Sequence, residues 1–206
     1  MIAEVWDAKF KINEILASIL EAQKNKEARE FYPGYQGWSV LSEDGSVFSG
    51  WNEEAVVMND KGEMDLQKSY EKKMQLGLNN NAVHKTPTEF MTPELNEVYD
   101  IIKSKNLNPC RMRISILKAG SELYWHSDAP PDVYSVRLHI PLYTNAETYF
   151  ETEDAREHLF ANGNAYFLKV NRRHRVVNYG KTDRWHLIMD VTDTDGFTKF
   201  HAVSNK

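Results

Sequence analysis

His126, Ser127 and Asp128 stand together in a chain of 206 residues, and this triplet is where chemistry is most readily read. Two side chains two residues apart on an extended segment point the same way, so one imidazole and one carboxylate can face a single cation. A third ligand has to come from elsewhere, and His174 is the candidate. Two histidines and a carboxylate on one face of an octahedron leave three positions open. That is the donor set of non-haem iron(II) oxygenases, whose open positions take a chelating co-substrate and dioxygen. The triplet alone is a weak signal, since an exposed turn with a capping aspartate ahead of Pro130 and Pro131 would read the same.

Arg184 lies ten residues after His174, with a turn at Gly180 between them. A hairpin of that length returns Arg184 to the side of His174. Its guanidinium can hold a carboxylate through two parallel hydrogen bonds, as the distal carboxylate of 2-oxoglutarate requires. The plainer reading of Arg184 alone is a surface ion-pair partner. Residues 137–142 alternate strictly: Arg137 and His139 on one face, Leu138, Ile140 and Leu142 on the other. A barrel wall around a polar pocket has this pattern, and so does a sandwich strand with its aliphatics inside and its Arg and His in water. Arg172 and Arg173 directly precede His174. They could meet an acidic substrate at a pocket mouth, although charged residues mostly sit in water.

The elements that would position these groups are short strands. After Pro109 the chain reads as strands near 111–118, 123–127, 134–142, 148–151, 165–170, 174–178 and 184–191, punctuated by Gly120, Asn145, Gly163 and Gly180, the spacing of a β-sandwich or barrel. Ahead of them, Ile12, Ile15, Leu16, Ile19 and Leu20 recur at helical spacing. Pro33, Gly34 and Gly37 break that pattern. The segments 38–41 and 46–51 flank Asp44 and Gly45 as a hairpin would. Residues 52–92 are polar and long for a connection, with a short helix expected near 66–76, and such a segment is a candidate lid. Thr92, Pro93 and Glu94 form a helix start, and the helix should reach Lys105.

Composition narrows the function classes. A formal net charge of -5 disfavours broad nucleic-acid binding. The single cysteine, Cys110, allows no internal disulfide and no cysteine-based zinc site, which fits a reducing compartment. Residues 1–24 are amphipathic rather than a leader, and no apolar run approaches the roughly 20 residues of a membrane span. A cytoplasmic protein acting on a small molecule is expected, with no nucleic-acid or membrane partner and with its oligomeric state open. His84 reads as exposed, His158 and His201 as solvated or structural, and Cys110 as a small buried hydrophobe. Tyr124, Trp125 and Trp185 read as core, although the first two adjoin the candidate metal site.

Together the motifs resemble the aspartyl/asparaginyl β-hydroxylase family of 2-oxoglutarate oxygenases, including its free-proline hydroxylase relatives. The matching pieces are RISILKAG at 113–120, HSD at 126–128, RLHIPL at 137–142 with TN at 144–145, GN at 163–164, HRVVN at 174–178 and RWHLIMD at 184–190. The resemblance implies a mainly β fold with flanking helices: a double-stranded β-helix core of the jelly-roll or cupin-like kind over 106–206. Residues 1–105 would be an N-terminal helical and loop elaboration of the same single domain. It implies iron(II) at His126, Asp128 and His174, with 2-oxoglutarate as co-substrate and dioxygen as oxidant. It further implies that Arg184 and Ser115 meet the distal carboxylate, while Arg137 and His139 sit near the carboxylate that chelates iron. The expected reaction is hydroxylation of an unactivated C–H bond of an amino acid or related small molecule. A cupin-like isomerase or hydrolase would not require Arg184. A β-barrel binding module for a small acid has no use for a carboxylate beside two imidazoles.

Overall fold

The computed structural model describes residues 3–78, 80–128 and 136–191. Strand β1 (Ala3–Trp6) and helix α1 (Ile12–Ala22) come first, then β2 (Arg29–Tyr32), β3 (Tyr35–Ser39) and β4 (Leu41–Ser42). Helix α2 (Leu66–Gln75), β5 (Thr86–Pro87) and α3 (Pro93–Lys103) lead to β6 (Pro109–Leu117), β7 (Glu122–His126) and β8 (Val136–Tyr143). Strands β9 (Thr148–Thr152), β10 (Arg156–Glu157), β11 (Ala165–Lys169), β12 (His174–Asn178) and β13 (Arg184–Val191) complete the described chain.

The strands form a seven-stranded sheet in the order β1-β11-β8-β13-β6-β3-β2 and a four-stranded sheet in the order β10-β9-β12-β7. Phe150 and Val176 of the smaller sheet pack against Leu117, Tyr166 and Leu168 of the larger, with Phe31 and Trp51 in the same cluster. These two facing antiparallel sheets are the expected double-stranded β-helix. The outer face of the larger sheet carries Ile114, Ile116, Leu138, Ile140, Leu187 and Met189, which pack with Ile15 and Ile19 of α1 and Leu95, Val98 and Ile102 of α3. Helix α3 starts as its sequence requires, the Thr92 hydroxyl accepting the Leu95 amide at 3.4 Å and proline standing in the first turn.

Several local expectations are corrected. The amphipathic stretch before α1 contributes an edge strand: Ala3–Trp6 pairs with β11 and satisfies its backbone there. Gly37 does not break the chain but lies inside β3, opposite Ser115. A Cβ on it would come within 1.9 Å of the Ile114 carbonyl, so only glycine fits that pairing. Asp44 and Gly45 do turn the chain, the Asp44 carboxylate accepting the Ser46 amide at 2.9 Å. The returning segment nevertheless contributes no strand, and β4 pairs with the distant β5. His84 is buried rather than solvated, its ring against Gly50 and its carbonyl accepting the Arg111 amide at 2.8 Å. The expected helix near 66–76 is present, capped by Asp65, whose carboxylate accepts the Lys68 amide at 3.0 Å. The loop at 129–134 and His201 lie outside the described residues. No described helix is long and apolar enough to cross a membrane.

Candidate functional site

Register decides which side chains meet inside the barrel. His174 of β12 is paired with His126 of β7, so the two imidazoles lie across one antiparallel rung, their ring centroids 4.3 Å apart. Asp128 follows β7 and is fixed by its amide, which donates to the Val170 carbonyl at 2.9 Å. One nitrogen from each histidine and one carboxylate oxygen lie within 4.8 Å of one another, with His174 Nε2 at 3.5 Å from Asp128 Oδ2.

The donor set fits a metal dication. His126 Nδ1 lies 2.7 Å from the Tyr124 carbonyl and His174 Nδ1 2.7 Å from the Arg172 carbonyl. A carbonyl only accepts, so both Nδ1 atoms carry the proton and both Nε2 lone pairs are left for a metal. Burial, then the neighbouring His174, pulls His126 down to about 4, so its ring is neutral at physiological pH. Burial opposes ionisation of Asp128, but Arg137 and the two imidazoles outweigh it and hold the carboxyl well below its usual range.

Behind this group lies a buried ionic network. Arg137 donates from Nη1 to Asp128 and from Nε to Asp190, each at 2.7 Å. Asp190 also accepts from Asn81 at 2.9 Å and faces Arg111 at 3.5 Å. Deeper still, Arg184 is 2 % exposed and has no ion-pair partner among the described residues. Its Nη2 donates to His186 Nδ1 at 2.8 Å, and its Nε has no partner. A guanidinium cannot accept, so His186 is neutral there and serves to hold Arg184 in place. His139 meets His186 across β8 and β13, Nδ1 to Nδ1 at 3.4 Å. Ser115, opposite His186 on β6, shares a hydrogen bond of 2.9 Å with the Tyr35 hydroxyl. A buried cation with no carboxylate is costly, which marks the surroundings of Arg184 as a place for an anionic ligand.

A cavity of about 330 Å³ opens beside the candidate metal ligands. His126, Asp128 and Arg137 form its floor, and Tyr32, Tyr35, Trp51 and Tyr124 part of its wall. The segment after β4 supplies another wall through Val56, Met64, Leu66, Tyr70 and Lys73, so the long polar stretch does cover the site. Arg172 and Arg173 do not line the cavity. Arg172 is paired with Asp154 at 3.1 Å, and Arg173 reaches Glu153 at 3.1 Å and Glu63 at 3.3 Å while lying over Trp125.

Sequence reasoning missed Arg111 and the partnership of Asp190, and gave Arg113 no role. The signal was present: Arg111, Arg113 and Ser115 alternate with Met112, Ile114 and Ile116 as Arg137 and His139 alternate with aliphatics on β8. Nothing local announced that Lys73 would reach the cavity.

Residues 36–194 match the family model described as aspartyl/asparaginyl beta-hydroxylase. Among solved structures, an oxidoreductase of the 2OG-Fe(II) oxygenase family from Burkholderia pseudomallei is 15% identical, covering 92% of this chain and 83% of its own, with a TM-score of 0.48. A viral collagen prolyl hydroxylase from Paramecium Bursaria Chlorella virus-1, solved with 2OG, is 12% identical over 93% of this chain and 96% of its own, with a TM-score of 0.47. A prolyl-4-hydroxylase from Pseudomonas putida is 10% identical over 92% and 91%, with a TM-score of 0.45. No curated protein matches the chain.

Proposed function

The chain belongs to the aspartyl/asparaginyl β-hydroxylase family, an enzyme family that uses iron(II), 2-oxoglutarate and dioxygen, and from that premise we propose which residues serve each of them and what is hydroxylated. Iron is held by His126, Asp128 and His174. The distal carboxylate of 2-oxoglutarate is held by Arg184 with Ser115, and its chelating end lies near Arg137 and His139. The substrate is an amino acid or related small molecule in a cytoplasmic setting. The observation that carries this reading is the convergence of two Nδ1-protonated imidazoles and one carboxylate within 4.8 Å, with Arg184 buried behind them and lacking an anion. A cavity of about 330 Å³ suits a small molecule.

Bound iron with 2-oxoglutarate supplies the activation of dioxygen, with succinate and carbon dioxide as co-products of the hydroxylation. The protein's own share is placement. The Tyr124 and Arg172 carbonyls fix the ring orientations of His126 and His174. Arg137 keeps Asp128 ionised and aimed inward. His186 steers Arg184. The wall from Met64 to Lys73 excludes water from the reacting carbon.

The test is metal titration together with succinate release on His126→Ala, Asp128→Ala and His174→Ala. Each variant should lose more metal affinity than the roughly 10–100-fold that removing an outer partner costs, and iron-dependent succinate release should vanish. Metal affinity within a few-fold of the parent in all three would place the iron elsewhere.

A further inference from the structure

The cavity lining carries three cations that the iron and 2-oxoglutarate sites do not use. Arg111 and Arg113 point inward from β6, and Lys73 reaches in from α2. Arg113 is 4% exposed, its guanidinium lies 5.0 Å from the Trp51 ring, and its Nε has no hydrogen-bond partner. It has no ion-pair partner among the described residues, and neither does Lys73. Arg111 donates from Nε to the Gly50 carbonyl, and its only ion-pair partner among the described residues is Asp190, at 3.5 Å, a carboxylate already engaged at 2.7 Å by Arg137 and at 2.9 Å by Asn81.

Among the described residues, half-buried Asp128 and buried Asp190 are the carboxylates near the cavity, and both are committed. Asp128 faces the iron position and Arg137, and Asp190 braces Arg137. Iron adds two positive charges, and the two negative charges of 2-oxoglutarate only offset those. The cation excess of Lys73, Arg111 and Arg113 remains, beside a wall made of Tyr32, Tyr70 and Leu66. Burial, then Arg111, pulls Lys73 down to about 8, so it still carries charge at neutral pH. A desolvated guanidinium left unpaired is unfavourable, and a carboxylate is the group its planar fork matches.

We propose that Arg113, Arg111 and Lys73 form a carboxylate subsite, and that the molecule hydroxylated is a small carboxylic acid whose apolar body lies along Tyr32, Tyr70 and Leu66. This rests on the hydroxylase reading above and names its substrate class. Because Lys73 is carried by α2, the same contact ties the covering segment to the substrate and closes the cavity over it.

The experiment is anaerobic calorimetry on the full chain loaded with iron(II) and 2-oxoglutarate, where no turnover occurs. The probes are 3-phenylpropanoate and its primary amide, which differ only in charge. The acid should bind at least about tenfold more tightly than the amide, as expected of a buried charge-assisted contact. Lys73→Met, on a surface helix that tolerates the change, should weaken the acid by about tenfold and leave the amide unchanged. Arg113→Gln should weaken the acid further, and both variants should keep the parent's 2-oxoglutarate affinity. Equal binding of acid and amide, binding of neither, or variants that lose 2-oxoglutarate instead of the acid would overturn the subsite. Failure of the acid with 2-oxoglutarate still bound leaves the hydroxylase reading standing. Failure of 2-oxoglutarate with the acid still bound removes that reading and leaves the subsite.

Discussion

On the outer face of β6, β8 and β13 stand Ile114, Ile116, Leu138, Ile140, Leu187 and Met189; on the inner face of the same strands, one residue out of step, stand Arg113, Ser115, Arg137, His139, Arg184 and His186. Both faces are buried, the first under α1 and α3 and the second inside the barrel. The outer face gains free energy by removing apolar surface from water. The inner face gives free energy up, desolvating charges that find partners only in part. One set of backbone hydrogen bonds serves both, so the aliphatic layer holds in place groups that would not hold themselves.

The largest stability effect should come from the outer face. Leu138→Ala removes a fully buried side chain and should cost about 2–5 kcal/mol in denaturant unfolding. Metal stoichiometry per folded molecule should be unaltered. A loss under about 1 kcal/mol would break the contrast between the faces, because it is far below the range for buried leucines.

The inner face should answer in the opposite sense. Arg184→Met should weaken 2-oxoglutarate by roughly 2–5 kcal/mol, the usual cost of truncating one partner of a desolvated charge pair. The ligand-free protein should unfold at the same temperature as the parent or higher, since the variant no longer buries a guanidinium without a carboxylate. A marked drop in the unfolding temperature would show that Arg184 stabilises the fold and would blur the comparison.

Acid should act through the inner face as well. Burial, then Arg184, holds His139 and His186 well below the ordinary value of 6.5. The folded values lie under the unfolded one, so the unfolded chain binds more protons once pH falls below about 6.5. Stability from this pair is therefore full above that point and is lost as pH falls. Denaturation midpoints should report roughly 1 kcal/mol lost between pH 6.5 and 5.5 for each ring that stays neutral in the fold, His126 adding to this pair because burial holds it down at about 4. A flat profile across that range would mean the rings are charged in the folded state.

The smallest effect belongs to the rim. Arg173→Ala breaks exposed ion pairs with Glu153 and Glu63, each worth under about 1 kcal/mol. Unfolding should barely move, and coupled turnover should stay within about fivefold of the parent, the equivalent of about 1 kcal/mol. A larger fall in coupled turnover, with uncoupled succinate release retained, would instead make the arginine a substrate contact.

Much of the inner face was legible because strand alternation is a local property. A period of two sorts Arg137 and His139 from Leu138, Ile140 and Leu142 wherever the strand goes. The cap at Thr92 is likewise legible, resting on contacts three residues long, but the hairpin expected between His174 and Arg184 is not formed: β12 and β13 belong to opposite sheets, so those ten residues cross the barrel instead of turning back. The sequence alone could not tell which face would be the inside, since sandwich and barrel use the same alternation. Tertiary structure decided that by laying α1 and α3 on the aliphatic side. It also decided every pairing that spans the chain: β4 with β5, Ser115 with Tyr35 80 residues away, and Asp190 with Arg137 53 residues away and Asn81 109 away. Lys73 entered the cavity, and His84 left solvent, for the same reason. Such contacts form when distant segments close on one another, and the free energy that selects them resides in the packed barrel rather than in any window of the chain.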